Sequence, residues 1–132
     1  MPSSTRSDPR PPHRVKGTAG QASVEFALAI PIVLVMALGL VLIGRAVRNE
    51  LAVELAAREG ARAAAVSASP ASAAAAAAGR AVHLPIDVAT TSDATTVTVT
   101  VTYVDPVDVA IIGALLGPVT HTASVTMGIE PP

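Results

Sequence analysis

The chain has 132 residues, 51% of them apolar and 14% charged, with a formal net charge of −1. That length allows one small domain beside any membrane segment, and a few basic residues without interleaved aromatics exclude a nucleic-acid-binding surface. There is no cysteine, hence no disulfide and no thiolate chemistry, and with one Phe, one Tyr and no Trp the anchors for a self-sufficient core are scarce, which makes assembly with other subunits an attractive source of stability.

Residues 1–16 are polar, carry Pro2, Pro9, Pro11 and Pro12, and hold Arg6, Arg10, Arg14 and Lys16 against Asp8 alone. With almost nothing to bury against the entropy of ordering, the expectation for 1–20 is a basic disordered leader. A cleaved secretory signal is the competing reading. It fits less well, because the apolar run is longer than a signal core and the nearest small-x-small triplet, Gly44-Arg45-Ala46, contains a charge.

From Phe26 to Gly44 there are 19 residues without a charge, which as a helix span roughly 28 Å, close to the hydrocarbon thickness of a bilayer. The expectation is a transmembrane helix over 21–45. The basic tail before it and the excess of acidic residues after it predict a cytoplasmic N-terminus and an extracytoplasmic C-terminal domain. Within the run, Pro31 removes a backbone donor and crowds the carbonyl of Ala27, so a kink is expected there. Glu25 sits directly on the apolar stretch, five residues after Gly20 and next to Phe26.

Residues 46–66 continue without a breaker and show helical periodicity at Val47, Leu51 and Leu55, with alanines assigned to the same side. The expectation is one long helix, half in the membrane and half outside it. Glu54 with Arg58 and Glu59 with Arg62 stand at ion-pair spacing on its polar face, and Gly60 reads as a mild weakness, about 1 kcal/mol relative to alanine. Ser67-Ala68-Ser69-Pro70 is a break with a restart signal, Ser69 capping and Pro70 in the first turn. Alanine then favours a short helix over 71–82, with disorder as the alternative for the Ala73–Ala78 tract.

Beyond Leu84 the period changes to two. Thr95–Val104 places Val97, Val99, Val101 and Tyr103 on one face, and Val119–Met127 places Val119, His121, Ala123, Val125 and Met127 on one face. These are expected to pair antiparallel, with Pro85–Thr90 as a shorter third strand. Asp105-Pro106 ends the middle strand by turn chemistry, and Val109–Leu116 forms an apolar connection. A Thr- and Val-rich strand of this kind must be covered by the long helix or by a neighbouring subunit.

The chemistry-bearing residues form no recognisable set. His13, His83 and His121 are far apart, and His121 reads as a partly buried structural histidine. Asp87, Asp93, Asp105 and Asp108 lack the spacing of a calcium loop and read as turn residues. No phosphate loop, serine elbow or His-Glu-x-x-His is present. No enzymatic activity, metal, cofactor or small-molecule substrate is expected.

Gln21-Ala22-Ser23-Val24-Glu25-Phe26-Ala27-Leu28 with Pro31 following, then Ala56-Ala57-Arg58-Glu59-Gly60-Ala61-Arg62, resembles the TadE-like family of pseudopilins, and Thr122–Met127 is similar to that family's last strand. The resemblance implies a minor pilin-like component of a tight-adherence (Flp-type) pilus or secretion system. It implies a prepilin peptidase cutting between Gly20 and Gln21, an assembly role for Glu25 and Phe26, and a family motif at Arg58, Glu59, Gly60 and Arg62. The implied partners are the membrane lipid bilayer, that peptidase, and other pilin-like subunits with their assembly machinery. The expected architecture is α+β and pilin-like: a long N-terminal helix, a short second helix and a small antiparallel sheet, with 67–132 as the exported domain. An unprocessed single-pass anchor displaying a small adhesion or binding module is the alternative, and a membrane hydrolase a remote one.

Overall fold

The structure, a computed structural model, describes residues 18–106, 113 and 117–129, with side chains from Gly20 onward. The expected leader and most of the Val109–Leu116 connection lie outside the described residues. The elements among the described residues follow in the order α1 (Thr18–Ala65), α2 (Pro70–Ala81), β1 (Asp87–Ser92), β2 (Thr96–Asp105) and β3 (Val119–Gly128). The chain divides into two compact units, residues 1–39 and residues 40–132.

In the first unit the described residues are the beginning of α1, all helical through Pro31. Side chains from Gly20 to Ala37 are exposed, the large apolar ones Phe26, Leu28, Ile32, Val33, Leu34, Val35 and Met36 among them. A soluble protein rarely leaves so much contiguous apolar surface in water. Here the helix satisfies its own backbone and offers apolar side chains in every direction, the two conditions for crossing a bilayer. It is long and apolar enough to do so.

The second unit contains the rest of α1, α2 and the sheet. The strand order is β1-β2-β3, antiparallel throughout, so β2 is central. Thr98 faces Thr126, Val99 faces Val125 and Tyr103 faces His121 across the β2–β3 ladder. On one side of the sheet the hydroxyls of Thr98 and Thr126 pair at 2.7 Å, and those of Thr100 and Ser124 at 3.0 Å. On the other, Val97, Val99, Val101 and Tyr103 are buried with Val53, Ala56, Ala57, Ala61, Ala64 and Ala65 of α1 and Ala74 and Ala78 of α2. The alternation expected of β2 is therefore the core itself. Each fully buried valine contributes about 1.5–3 kcal/mol of transfer free energy.

Two readings of α1 are corrected. Val47, Leu51 and Leu55 do not face the core: they are 54%, 60% and 48% exposed, while the alanine side is packed. The reason is distance. A Cβ on Gly60 would lie 3.2 Å from Val99 Cγ1, 3.3 Å from the Ala74 carbonyl oxygen and 3.6 Å from Ala78 Cβ, so α1 comes so close to β2 and α2 that only small side chains fit between. Gly60 is accordingly a close-approach position rather than a weakness. The leucine stripe is left outward.

Smaller differences concern element ends. β1 spans Asp87–Ser92, shifted two residues from the expected Pro85–Thr90. The alanine tract is ordered within α2, which starts at Pro70, but Ser69 makes no side-chain cap. Instead the Ser67 hydroxyl accepts the Ser69 N–H at 3.1 Å, and the Ser72 hydroxyl donates to the Ser69 carbonyl at 3.1 Å. Ile129 N–H donates to the Thr95 carbonyl at 2.8 Å beyond the end of β3.

Candidate functional site

The residues expected from the resemblance to serve processing and assembly lie on the first turns of α1. Gly20, Gln21, Glu25 and Phe26 are all exposed. Gln21 and Glu25 are one helical turn apart, and the Gln21 amide Nε2 donates to Glu25 Oε1 at 3.2 Å. The chain thus already aims a donor from residue 21 at the Glu25 carboxylate. Gly20 is itself helical, so any enzyme that cuts after it must first unwind this turn.

Four helical turns beyond Pro31 the character of α1 changes, and a polar cluster that the sequence does not announce appears where α1 passes the ends of β2 and β3. Its centre is Asp105, the last residue of β2. Arg45 grips it as a fork, Nη2 donating to Oδ1 at 2.5 Å and Nε to Oδ2 at 3.1 Å, and Arg45 Nη2 also reaches the Pro106 carbonyl at 3.5 Å. Asn49, one turn along, donates from Nδ2 to Asp105 Oδ2 at 2.7 Å. Asn49 and Asp105 are only 3% and 4% exposed. A carboxylate with two-pronged guanidinium and amide donors is satisfied in position and charge, which makes its burial tolerable. Asp105 is therefore more than the turn residue read from Asp-Pro: it ties the end of the central strand to α1.

The adjacent strand is tied in the same way. His121, 6% exposed, donates from Nδ1 to Glu50 Oε2 at 2.9 Å, and its ring stacks on Tyr103 with centroids 6.3 Å apart and planes at 15°. Nδ1 faces the Glu50 carboxylate, and Nε2 is buried without a partner among the described residues. His121 is thus buried as expected, with Glu50 as the partner that spacing could not reveal.

The remaining motif residues have separate surroundings. Arg58 donates to Glu54 one turn back on the exposed face of α1, the pairing expected from their spacing. Glu59 is half-buried and Arg62 is exposed. Gly60 is at a tight packing contact.

In the hairpin between β1 and β2, Asp93 accepts the N–H groups of Thr95 and Thr96 on Oδ1 at 2.8 and 2.7 Å, and the Thr96 hydroxyl on Oδ2 at 2.8 Å. These bonds favour its charged form. With the Thr95 N–H first in effect and the Thr96 N–H second, they hold the carboxyl down at about 2. Asp93 is the turn residue expected from the sequence. Among the described residues no group of three or more His, Asp or Glu side chains could hold a metal ion.

Residues 20–62 match the family model described as TadE-like protein, so the resemblance carried by Gln21–Leu28 and Ala56–Arg62 is shown over that stretch. The matched segment runs from Gly20 through the apolar helix and most of the alanine-packed face of α1. No curated protein matches the chain, and no solved structure matches it.

Proposed function

We propose that the chain is a minor pilin-like subunit of a tight-adherence (Flp-type) pilus or secretion system, matured by a prepilin peptidase between Gly20 and Gln21. The observation that carries this reading is the family match over residues 20–62, which coincides with an exposed apolar helix long enough to cross a bilayer and begins at Gly20. The family match supports a pilus-associated component, and the helix fits a single-pass membrane protein. The cut, the orientation and the partners are inferences from motif and charge.

In this reading residues 1–20 stay in the cytoplasm and are removed, and the unit containing the sheet lies outside the membrane. A carboxylate at the margin of hydrocarbon costs roughly 2.5–3.5 kcal/mol if drawn to the bilayer centre. Cleavage creates an ammonium group on Gln21 that can offset this cost. The Glu25 of a neighbouring subunit, staggered by a few residues, pairs with that group during assembly. Gln21 and Glu25 are already one turn apart in this chain, so the same ammonium group can hold its own carboxylate until a neighbour arrives.

Intact mass and N-terminal sequencing of the membrane-bound chain, co-expressed with a prepilin peptidase, test the proposal. The expected mature N-terminus is Gln21, and a full-length chain in the mature pool would refute the processing. One observation favours the unprocessed anchor as second reading: the bond after Gly20 lies inside a helical turn, where a peptidase finds no extended backbone. Glu25→Gln separates the two. It should insert and be cut yet co-purify poorly with other pilin-like subunits, whereas a simple anchor would be indifferent to it.

A further inference from the structure

On the second unit, adjoining the Asp105 cluster through Arg45, the residues Val41, Gly44, Arg45 and Arg48 line an open cavity of about 230 Å³. Residues 41, 44, 45 and 48 are three to four apart and therefore form one face of α1. The face grades from apolar at Val41 to cationic at Arg48. Gly44 opens onto the space: a Cβ there would meet nothing within 4 Å.

The two arginines at its upper rim differ. Arg45 is committed to Asp105 through two hydrogen bonds, and its charge is offset. Arg48 is exposed and has no hydrogen bond or ion pair among the described residues, so its charge is uncompensated at the cavity. Their height decides what they meet. The uncharged run ends at Gly44, so Arg45 and Arg48 stand roughly 1.5 and 6 Å beyond it along the helix axis. The headgroup layer of each leaflet is about 5–7 Å deep, and both guanidiniums fall within it.

We propose that this cavity is a phospholipid site, in which Arg48 takes the phosphodiester of an anionic lipid in the leaflet adjoining the sheet-bearing unit while the acyl chain descends past Gly44 and Val41. The apolar floor selects a lipid over a free anion. Arg48 supplies the attraction, and Arg45, held by Asp105, forms a fixed wall that keeps the cavity from closing. A second cavity of about 280 Å³ also touches Arg48 and is bounded by Leu55, His83 and Leu84. It lies further from the uncharged run, so its occupant would not be a membrane lipid. The inference rests on the membrane-spanning reading of α1 but on neither the cut nor pilus assembly.

The test uses the full chain reconstituted in nanodiscs of equimolar phosphatidylcholine and phosphatidylglycerol, extracted in mild detergent and weighed by native mass spectrometry. Insertion is scored separately by vesicle flotation. Wild type should retain one phosphatidylglycerol in preference to phosphatidylcholine. Arg48→Gln should insert equally well and retain phosphatidylglycerol roughly fivefold more weakly, the factor expected for one arginine near an anionic surface. Gly44→Leu, which fills the cavity and leaves both arginines in place, should lose the retained lipid of either kind. His83→Ala, which changes only the second cavity, should behave as wild type.

Equal retention by wild type, Arg48→Gln and Gly44→Leu would overturn the site. So would displacement of the lipid by inorganic phosphate, which would make it a free-anion site, or loss of retention in His83→Ala, which would move it to the second cavity. Failure to float would overturn the membrane-spanning reading itself, a distinct result.

Discussion

Replacing Asp105 tests how the sheet is held to α1. Asp105→Ala leaves the Asn49 amide buried without an acceptor, a cost of about 1–3 kcal/mol. It also removes the counter-charge of Arg45, whose side chain is 38% exposed. Water re-solvates that guanidinium, so the ionic part stays well below the cost of a fully buried unpaired charge. The expected loss is about 1–3 kcal/mol, a sizeable fraction of the 5–15 kcal/mol typical of a folded domain. Asp105→Asn keeps an acceptor for Asn49 and should lose about half as much. Asn49→Ala removes the donor and leaves Asp105 with Arg45, about 1 kcal/mol. In the double variant the orphaned amide no longer exists, so the two losses should fall short of additive by about 1 kcal/mol or more. The chain supplies its own probe, since Tyr103 is its one tyrosine and there is no tryptophan, and Tyr103 stacks on His121 beside the cluster. Urea titration of the nanodisc-bound chain, followed by tyrosine emission, reads these stabilities. An Asp105→Ala midpoint equal to wild type, or strict additivity in the double variant, would refute the tether.

Further outcomes follow from the packing, the hairpin and the exposed stripe. Gly79→Ala, where a new Cβ meets nothing within 4 Å, should stabilise α2 by about 0.5–1 kcal/mol, whereas at Gly60 the same change pushes on Val99 and the Ala74 backbone and should destabilise by about 1 kcal/mol in thermal melts. The Asp93 carboxyl, lowered to about 2 in the fold, lends the hairpin a stability that is complete above the unfolded value of about 3.9 and lost as pH falls through about 2. Amide exchange at Thr95 and Thr96 should rise across that window and be insensitive to it in Asp93→Asn. Leu51→Ser should shift the chain's own stability by less than about 0.5 kcal/mol, because Leu51 is exposed, while reducing co-purification with pilin-like subunits. Orientation is read with single cysteines: one at Ser92 should react with an impermeant thiol reagent in intact cells and one at Ser4 should not.

Much of this protein follows from one-dimensional pattern. A charge-free run of bilayer length, the switch from period 3.6 to period 2 after Leu84, and strict alternation in Thr96–Asp105 dictate the helix, the sheet and the buried row Val97, Val99, Val101 and Tyr103, because burial of one face needs nothing beyond local periodicity. The motif residues from Gly20 to Phe26 were legible as a string, and their exposed, helical setting adds to it. What periodicity could not decide was which side of α1 meets the sheet. Leucines outrank alanines as apolar surface, yet the close crossing at Gly60 admits only the alanine side, and that distance exists only once β2 and α2 are in place. The polar cluster has the same origin: Arg45, Asn49 and Glu50 are separated from Asp105 and His121 by 56 to 71 residues. No local spacing links such partners. Their pairing is set by the fold that brings the ends of β2 and β3 against α1, where a buried carboxylate and a buried imidazole are tolerated only because the helix supplies their counterparts.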